Sequence, residues 1–117
     1  MIELLTIAAL AICPPGPRDN CTVDGDTLWW KGEKIRIADI DTPEIDGKCA
    51  YEKQTAIRAR NRLATLLGGK FRIHREGQDR YGRTLAIITV NGRSVGDMLV
   101  SEGLARTWTG RREPWCA

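Results

Sequence analysis

The stretch from residue 34 to residue 44 limits what this chain can fold into more than any other part of it. Its first half alternates apolar and polar side chains, which predicts a strand with one buried face. Pro43 lacks an amide hydrogen and keeps Thr42 out of helical geometry, so regular structure must stop here. We therefore expect the carboxylates of Asp41 and Glu44 on an irregular corner at the end of a strand, a common place for catalytic groups and for oxygen ligands of a hard metal ion.

The length and charge of the chain bound its class. Its 117 residues suit one domain with a modest core, and no repeat, linker or low-complexity segment divides it. The formal net charge of +3 permits a polyanionic partner without requiring one. The basic residues are spread along the chain and form no block typical of a disordered tail.

The four cysteines, Cys13, Cys21, Cys49 and Cys116, leave two interpretations open. An even number in a small chain fits two disulfides formed in an oxidising compartment, and the alternative is reduced thiols in the cytosol. For the first interpretation we expect Cys13 to pair with Cys21 across a proline-rich turn, and Cys49 to pair with Cys116. Zinc is disfavoured because no two cysteines form a close C-x-x-C pair and the single His74 is not near enough to complete a site.

The apolar segment at residues 1–12 also leaves two interpretations open. It predicts either an extra first strand or an atypical export segment, although it lacks the basic start and the longer apolar run of a signal peptide. It is too short to span a bilayer, and we expect no stable membrane association. We accordingly divide the chain into residues 1–21, an apolar segment with a proline-rich turn, and residues 22–117, a single domain.

A second acidic segment lies upstream of the corner. Asp24 and Gly25, set among β-branched and aromatic residues, are typical of a hairpin turn. It is an equally good account that the glycine lets the backbone bend so that Asp26 points inward. A plainer turn at residues 31–33 joins this segment to the strand that leads into the corner. Asp26 and Asp41 are therefore expected on paired segments, where their side chains can converge.

Beyond the corner the pattern changes from strand to helix and back. Alanines and leucines recur every three or four residues up to Leu67, which predicts a helix. Residues 70–74 and 85–90 predict two more strands, and Ser94 is expected to cap a second, short helix. Three strands, a helix, two strands and a short helix suit an α+β, mainly β fold, a small closed five-stranded barrel of the oligonucleotide-binding (OB-fold) kind.

Several short motifs, taken in order, resemble the signature of the thermonuclease (staphylococcal nuclease) family. They are V-D-G-D-T at 23–27, Arg36, D-T-P-E at 41–44, D-R-Y-G-R at 79–83, L-V at 99–100 and G-L-A at 103–105. Any one of them is weak alone, but the ordered set with fitting secondary structure between its members is specific. The resemblance implies the OB-fold barrel and calcium-dependent hydrolysis of phosphodiester bonds in DNA and RNA.

The resemblance also implies a set of metal ligands. Asp26, Asp41 and the backbone carbonyl of Thr42 would hold Ca²⁺, with solvent completing the oxygen shell that a hard cation takes. Taken singly, Asp41 has a simpler explanation as a cap of the corner. The metal interpretation depends on the two carboxylates occurring together with the other motif residues.

Catalytic roles follow from the same resemblance. Glu44 would act as the general base that removes a proton from the attacking water, and Arg36 and Arg83 would bind the scissile phosphate through their guanidinium forks. An ion pair between Arg36 and Glu44 is the structural alternative. Arg36 and Asp41 are five residues apart, so a regular strand would point them to opposite faces, and a bend or bulge between them is required.

Three further residues are candidates for substrate contact. Tyr81 and Trp108 suit stacking on a base or a sugar, with core packing as the alternative for both, and Arg80 suits a flanking phosphate. No residue is an evident reader of base edges, so little sequence preference is expected.

The resemblance implies DNA or RNA as the substrate, and we expect the protein to be a monomer. The alternative function is a non-catalytic barrel that binds nucleic acid or protein, and the cysteines together with calcium favour a periplasmic or secreted location.

Overall fold

The computed structural model describes residues 9–117, and nine strands and two helices follow one another in that range. In chain order they are β1 (Ala11–Ile12), β2 (Cys21–Asp24), β3 (Thr27–Trp30), β4 (Glu33–Ile37), β5 (Ile40–Asp41), α1 (Ala50–Leu66), β6 (Arg72–Gln78), β7 (Thr84–Val90), β8 (Arg93–Ser94), α2 (Val95–Ser101) and β9 (Arg106–Thr107). Most of the predicted N-terminal strand lies outside the described residues. Its end is β1, which pairs in parallel with β2.

The main sheet has the strand order β1-β2-β3-β4-β7-β6, with β8 paired to β7, and a second sheet consists of β5 and β9. Five principal strands, a long helix after the third of them and a short second helix agree with the prediction, so the mainly β fold class is confirmed. One detail differs. Within residues 9–117 no ladder joins the outer strands, so the sheet is an open path of strands and not a closed barrel.

The core lies between the main sheet and the two helices. Ile35 and Ile37 of β4 are fully buried, as their alternation with polar residues predicts, and they belong to one apolar cluster with Leu28 of β3. Helix α1 contributes Ala59 and Leu63 from one face to the same cluster. Each fully buried leucine or isoleucine contributes roughly 1.5–3 kcal/mol to folding. The packing of the sheet against α1 therefore holds the loops at one end of the strands in place.

A turn separates β4 from the corner. Strand β4 stops at Ile37, residues 38–39 form a turn, and Ile40 and Asp41 start a new strand that pairs with β9. The amide of Trp108 donates to the carbonyl of Asp39 at 2.9 Å, which extends this pairing. The turn supplies the change of direction that the spacing of Arg36 and Asp41 requires.

Both expected cysteine pairs are bonded in the structure. Cys13 is joined to Cys21, and Cys49 at the start of α1 is joined to Cys116 in the tail. The tail after β9 is irregular, yet Trp115 is buried there, with the guanidinium of Arg106 3.8 Å above its ring. Neither helix found in residues 9–117 has the length and apolar character needed to cross a membrane.

Candidate active site

A polar cavity of about 200 Å³ lies where the β2–β3 turn, the end of β4, the 41–44 corner and the tail meet. Most of the predicted site residues line it, namely Asp26, Arg36, Asp41, Thr42, Glu44, Arg83 and Trp108. Arg80 and Tyr81 are outside the lining, on the exposed loop before β7. Three lining residues were not predicted, namely Asp24, Thr27 and Arg112.

A larger and more open groove, of about 1150 Å³, lies at the other end of β3 and β4. Of the residues that the structure describes, Glu33 is the one carboxylate in its lining. Hydrogen bonds from Arg75, and then from Thr84, lower the pKa of Glu33 from 4.5 to about 2. That carboxylate is fully engaged, and the imidazole of His74 in the same lining lies 2.9 Å from the hydroxyl of Thr89. Within residues 9–117 the groove therefore lacks the pair of carboxylates that a metal site needs, and the smaller cavity is the better candidate for chemistry.

The β2–β3 turn is pressed against α1 and the corner at Gly25. A Cβ atom at this position would lie 2.7 Å from Cβ of Ala59 and 2.9 Å from Cγ2 of Thr42, so only glycine fits. Asp26 follows in the same two-residue turn and points inward, where its Oδ2 accepts the amide of Thr42 at 3.3 Å. The two explanations of this segment, a hairpin turn and an inward Asp26, both hold.

Asp26 lies close enough to Asp24 and to Asp41, at this end of the cavity, for its negative charge to affect both. Burial, and then the negative charge of Asp26, raise the pKa of Asp24 from 3.8 to about 7. Burial is also the main cause that raises the pKa of Asp41, although the guanidinium of Arg112 opposes it. These raised pKa values mean that the ionised carboxylates are disfavoured in this environment. A cation bound among them would stabilise their ionised forms.

Arg36 is held inside the site by main-chain carbonyl groups that follow it in the sequence. Its Nη1 donates to the carbonyl of Ile40 at 2.8 Å and also to that of Ile37, and its Nη2 lies 3.5 Å from Oδ2 of Asp26. Its ion pair is thus with Asp26 and not with Glu44, the alternative partner. The guanidinium also lies 5.8 Å from the ring centre of Trp108. Arg36 is therefore fixed in place, with Trp108 bordering it on the open side.

Glu44 is positioned through its backbone while its side chain remains accessible. The side chain of Glu44 is 60% exposed. Its amide donates to Oε2 of Glu52 at 3.2 Å, and the amide of Lys48 donates to Oε1 of Glu52 at 3.0 Å. These bonds, the one from Lys48 first, lower the pKa of Glu52, which is 6% exposed. This role of Glu52 was not predicted from the sequence. The feature that could have indicated it is its position as an acidic residue in the first turn of the helix that follows the corner.

Arg83 is oriented by Asp79 from the start of its loop. The Nε of Arg83 donates to Oδ2 of Asp79 at 2.7 Å, and the amides of Tyr81 and Arg83 each donate to Oδ1 at 2.9 Å. Burial opposes the charged form of Asp79, but these bonds from Arg83 prevail and lower its pKa. Tyr81 is 70% exposed, and the guanidinium groups of Arg80 and Arg83 lie 5.1 and 5.7 Å from its ring centre.

Arg112, in the tail, reaches into the site and touches several of its oxygen atoms. Its Nη1 lies 3.0 Å from Oδ1 of Asp41 and 3.5 Å from Oε1 of Glu44. Its Nη2 lies 3.5 Å from the carbonyl oxygen of Thr42 and 3.3 Å from Oε2 of Glu52. No local pattern distinguishes this arginine from Arg111 beside it, so the sequence held no signal for its role.

The donor atoms at the corner suit a hard divalent cation. Asp26 and Asp41 present carboxylates beside the carbonyl of Thr42, and the hydroxyl of Thr42 is buried with no hydrogen-bond partner in the described part of the chain. These are oxygen ligands of the kind that calcium takes. Within residues 9–117 no three acidic, histidine or cysteine side chains form a metal cluster, so main-chain oxygen and solvent would complete the shell.

Comparison with known proteins assigns the family. The profile described as "Staphylococcal nuclease homologue" matches residues 34–115, which is most of the chain. The chain belongs to this family. Its mainly β architecture with two helices fits the OB-like fold of staphylococcal nuclease. The matched range includes every predicted site residue except Asp26, which precedes it.

Several curated proteins are similar to this chain. It is 32% identical over 112 residues to an "Uncharacterized endonuclease" of Haemophilus influenzae, an alignment that covers 87% of this chain and 59% of that protein. It is 35% identical over 92 residues to endonuclease YncB of Bacillus subtilis, with 72% and 44% covered. It is 30% identical over 96 residues to the thermonuclease of Staphylococcus intermedius, with 72% and 54% covered. The chain thus spans about half the length of these relatives.

Proposed function

We propose that this chain is a calcium-dependent nuclease that hydrolyses phosphodiester bonds of DNA or RNA by in-line attack of water, with little sequence preference. The observation that carries the proposal is the 200 Å³ cavity, where ligand-type carboxylates, an accessible acid and three arginines line one space. The stability of the fold does not explain so many charged groups in one place, because burying charged groups costs free energy. The relatives named endonuclease and thermonuclease support the same chemistry.

Glu44 is the proposed general base. Its carboxylate is accessible to water, while its backbone is fixed to the buried Glu52, so the group has a defined position and a free surface. A base in this position takes the proton from the attacking water as the new bond to phosphorus forms and the bond from phosphorus to the leaving ester oxygen breaks, and that oxygen takes a proton from solvent. General base catalysis of this kind contributes roughly two to four powers of ten in rate. Among residues 9–117, the cavity lining contains no serine, cysteine or histidine that would act as a covalent nucleophile.

Arg36 and Arg83 are the proposed phosphate ligands. Negative charge grows on the non-bridging oxygens during attack, and guanidinium groups held in advance stabilise that charge more than water does. Arg36 is held by main-chain carbonyls and Asp26, and Arg83 by Asp79, so neither must be ordered during the reaction. Their forks match phosphate oxygens and stay charged at any working pH.

Calcium and the aromatic residues complete the proposal. When bound by Asp26, Asp41 and the Thr42 carbonyl, calcium supplies a positive charge that polarises the phosphate. Tyr81 and Trp108 are exposed beside the arginines and suit stacking on a base or a sugar. Stacking and phosphate contacts carry no base sequence information, which supports low sequence preference.

The experiment is cleavage of single-stranded DNA by the purified chain, with calcium and then with excess chelator. We expect cleavage that stops on chelation. Glu44→Gln should lower the rate by about a hundredfold to ten-thousandfold. The matched control is Glu76→Gln, an exposed acid on β6 outside the cavity, which should leave the rate unchanged. Binding of DNA without any cleavage would contradict the proposal and support the non-catalytic binding module instead.

A further inference from the structure

The tail occupies both oxygen atoms of one proposed calcium ligand. Oδ1 of Asp41 accepts from Arg112 at 3.0 Å, and Oδ2 accepts from the indole of Trp115 at 3.4 Å. The second Nη of Arg112 lies 3.5 Å from the carbonyl oxygen of Thr42. A guanidinium therefore touches two of the three protein groups to which the cation is assigned.

We propose that Arg112 is a built-in competitor of the divalent cation, and that the Cys49–Cys116 disulfide holds it on the cation's ligands. The inference rests on the proposed calcium site. Because a guanidinium and a divalent cation repel each other strongly at such distances, the two cannot occupy these oxygens together. Cation binding at Asp41 and Thr42 thus requires Arg112 to leave, and the cation affinity is lower by the free energy of the Arg112 contacts.

The disulfide makes this competition effective. Cys116 is four residues beyond Arg112, and its bond to Cys49 fastens the end of the tail to the start of α1, beside the site. A tethered group competes at a high effective concentration, whereas the same arginine on a loose tail would compete weakly. The buried Trp115 and the stacking of Arg106 on it hold the tail as well, so loss of the disulfide alone should release Arg112 only in part.

The test is the calcium dissociation constant measured by titration calorimetry, which needs no substrate and no turnover. Arg112→Ala should bind calcium about ten to a hundred times more tightly than the parent, because a hydrogen-bonded charge pair with a buried carboxylate is removed. Arg112→Gln should act in the same direction. The matched control is Arg111→Ala, since that side chain is 80% exposed and forms an ion pair with Glu113 outside the site. The calcium affinity of this variant should equal that of the parent.

A second comparison isolates the tether. Replacing Cys49 and Cys116 together by serine should tighten calcium binding several-fold in the parent and have no effect when Arg112 is already alanine. The same double replacement at Cys13 and Cys21 leaves the tail tethered and should change nothing.

Each outcome decides a different claim. Equal calcium affinity in the parent, Arg112→Ala and Arg112→Gln would overturn the competition while leaving the calcium site in place. Calcium binding by Arg112→Ala but not by the parent would support the competition in its strongest form. Absence of binding in every variant would overturn the competition together with the calcium site.

Discussion

Glu52 of α1 accepts a hydrogen bond from the backbone amide of Glu44 at 3.2 Å, and this bond fixes the proposed catalytic corner to the longer of the two helices in residues 9–117. The same carboxylate accepts the amide of Lys48, so both ends of the loop after the corner are tied to one side chain. Gly47 completes the arrangement, because a Cβ there would overlap the Glu52 side chain. The position of Glu44 therefore depends on a residue that performs no chemistry itself.

Replacing Glu52 by alanine should destabilise the protein by about 2–4 kcal/mol, because two amides of the loop and Arg112 lose a buried charged partner. Denaturation by urea measures this change. The matched control is Glu102→Ala, which removes an exposed ion pair with Arg62 and should cost less than about 1 kcal/mol. Equal effects of the two substitutions would show that Glu52 is not a structural anchor.

Replacing Arg83 by lysine should lower kcat by roughly a hundredfold to a thousandfold with little loss of substrate affinity. Lysine keeps the charge but lacks the fork that Asp79 orients, and a preorganised donor of this kind is worth about 2.7–4 kcal/mol in the transition state. Cleavage at saturating DNA measures kcat, and Arg93→Lys on β8 is the control. Activity within a few fold of the parent would remove Arg83 from the catalytic set.

Replacing Asp26 by asparagine should weaken calcium binding and abolish cleavage while the fold stays intact. Asparagine keeps an acceptor for the amide of Thr42. The loss of the negative charge at position 26 also relieves its repulsion with Asp24. Calorimetry measures calcium binding, and thermal unfolding measures stability. Asp46→Asn in the exposed loop is the control. Unchanged calcium affinity in Asp26→Asn would refute the ligand assignment.

Replacing Gly25 by alanine should cost about 1–3 kcal/mol, because the new methyl group would overlap Ala59 and Thr42. The control is Gly69→Ala after α1, where nothing lies within 4 Å of the added atom. Urea denaturation of both variants provides the comparison. Cleavage should fall further than stability explains, since Asp26 and Thr42 would move apart. Full activity in a destabilised Gly25→Ala would show that the site tolerates that shift.

Replacing Glu33 by glutamine should produce a pH-dependent change in stability. Hydrogen bonds from Arg75 lower the pKa of Glu33 from 4.5 to about 2, so the folded state holds fewer protons in this window and the stabilisation is lost as the pH falls from 4.5 to 2. The variant should be less stable at pH 7 by about 1 kcal/mol or less, since the pair is exposed. The difference should shrink as the pH falls through this range and disappear below pH 2, and a constant difference would contradict the assignment.

Local patterns in the sequence predicted much of this structure. The alternation around Ile35 and Ile37, the turn at residues 31–33 and the cap at Ser94 each depend on residues within one turn or one strand. Ser94 Oγ accepts the amide of Asp97 at 3.1 Å, as its spacing predicts. Interactions of this range leave a periodic or positional signal that a single sequence preserves.

The pairing of β5 with β9 and the contact of the tail with Asp41 left no such signal. Strands β5 and β9 have two residues each, and Asp41 pairs there with Arg106, far along the chain. Arg112 meets Asp41 only because the tail folds back over the corner. A two-residue strand has no measurable period, and an arginine that reaches a distant carboxylate resembles any surface arginine. The spacing of Arg36 and Asp41 required a bend between them, but not its place directly after Ile37, because β9 stabilises the new strand from far along the chain.

The Cys49–Cys116 disulfide, whose two cysteines are 67 positions apart, encloses both helices and the exposed loop at residues 79–83 in one covalent ring. A protease that cuts once after Arg80 would open this ring without releasing a fragment. The nicked molecule would migrate as one species without reductant and separate into two pieces once the disulfide is reduced. The covalent integrity of the molecule thus survives a break in this exposed loop.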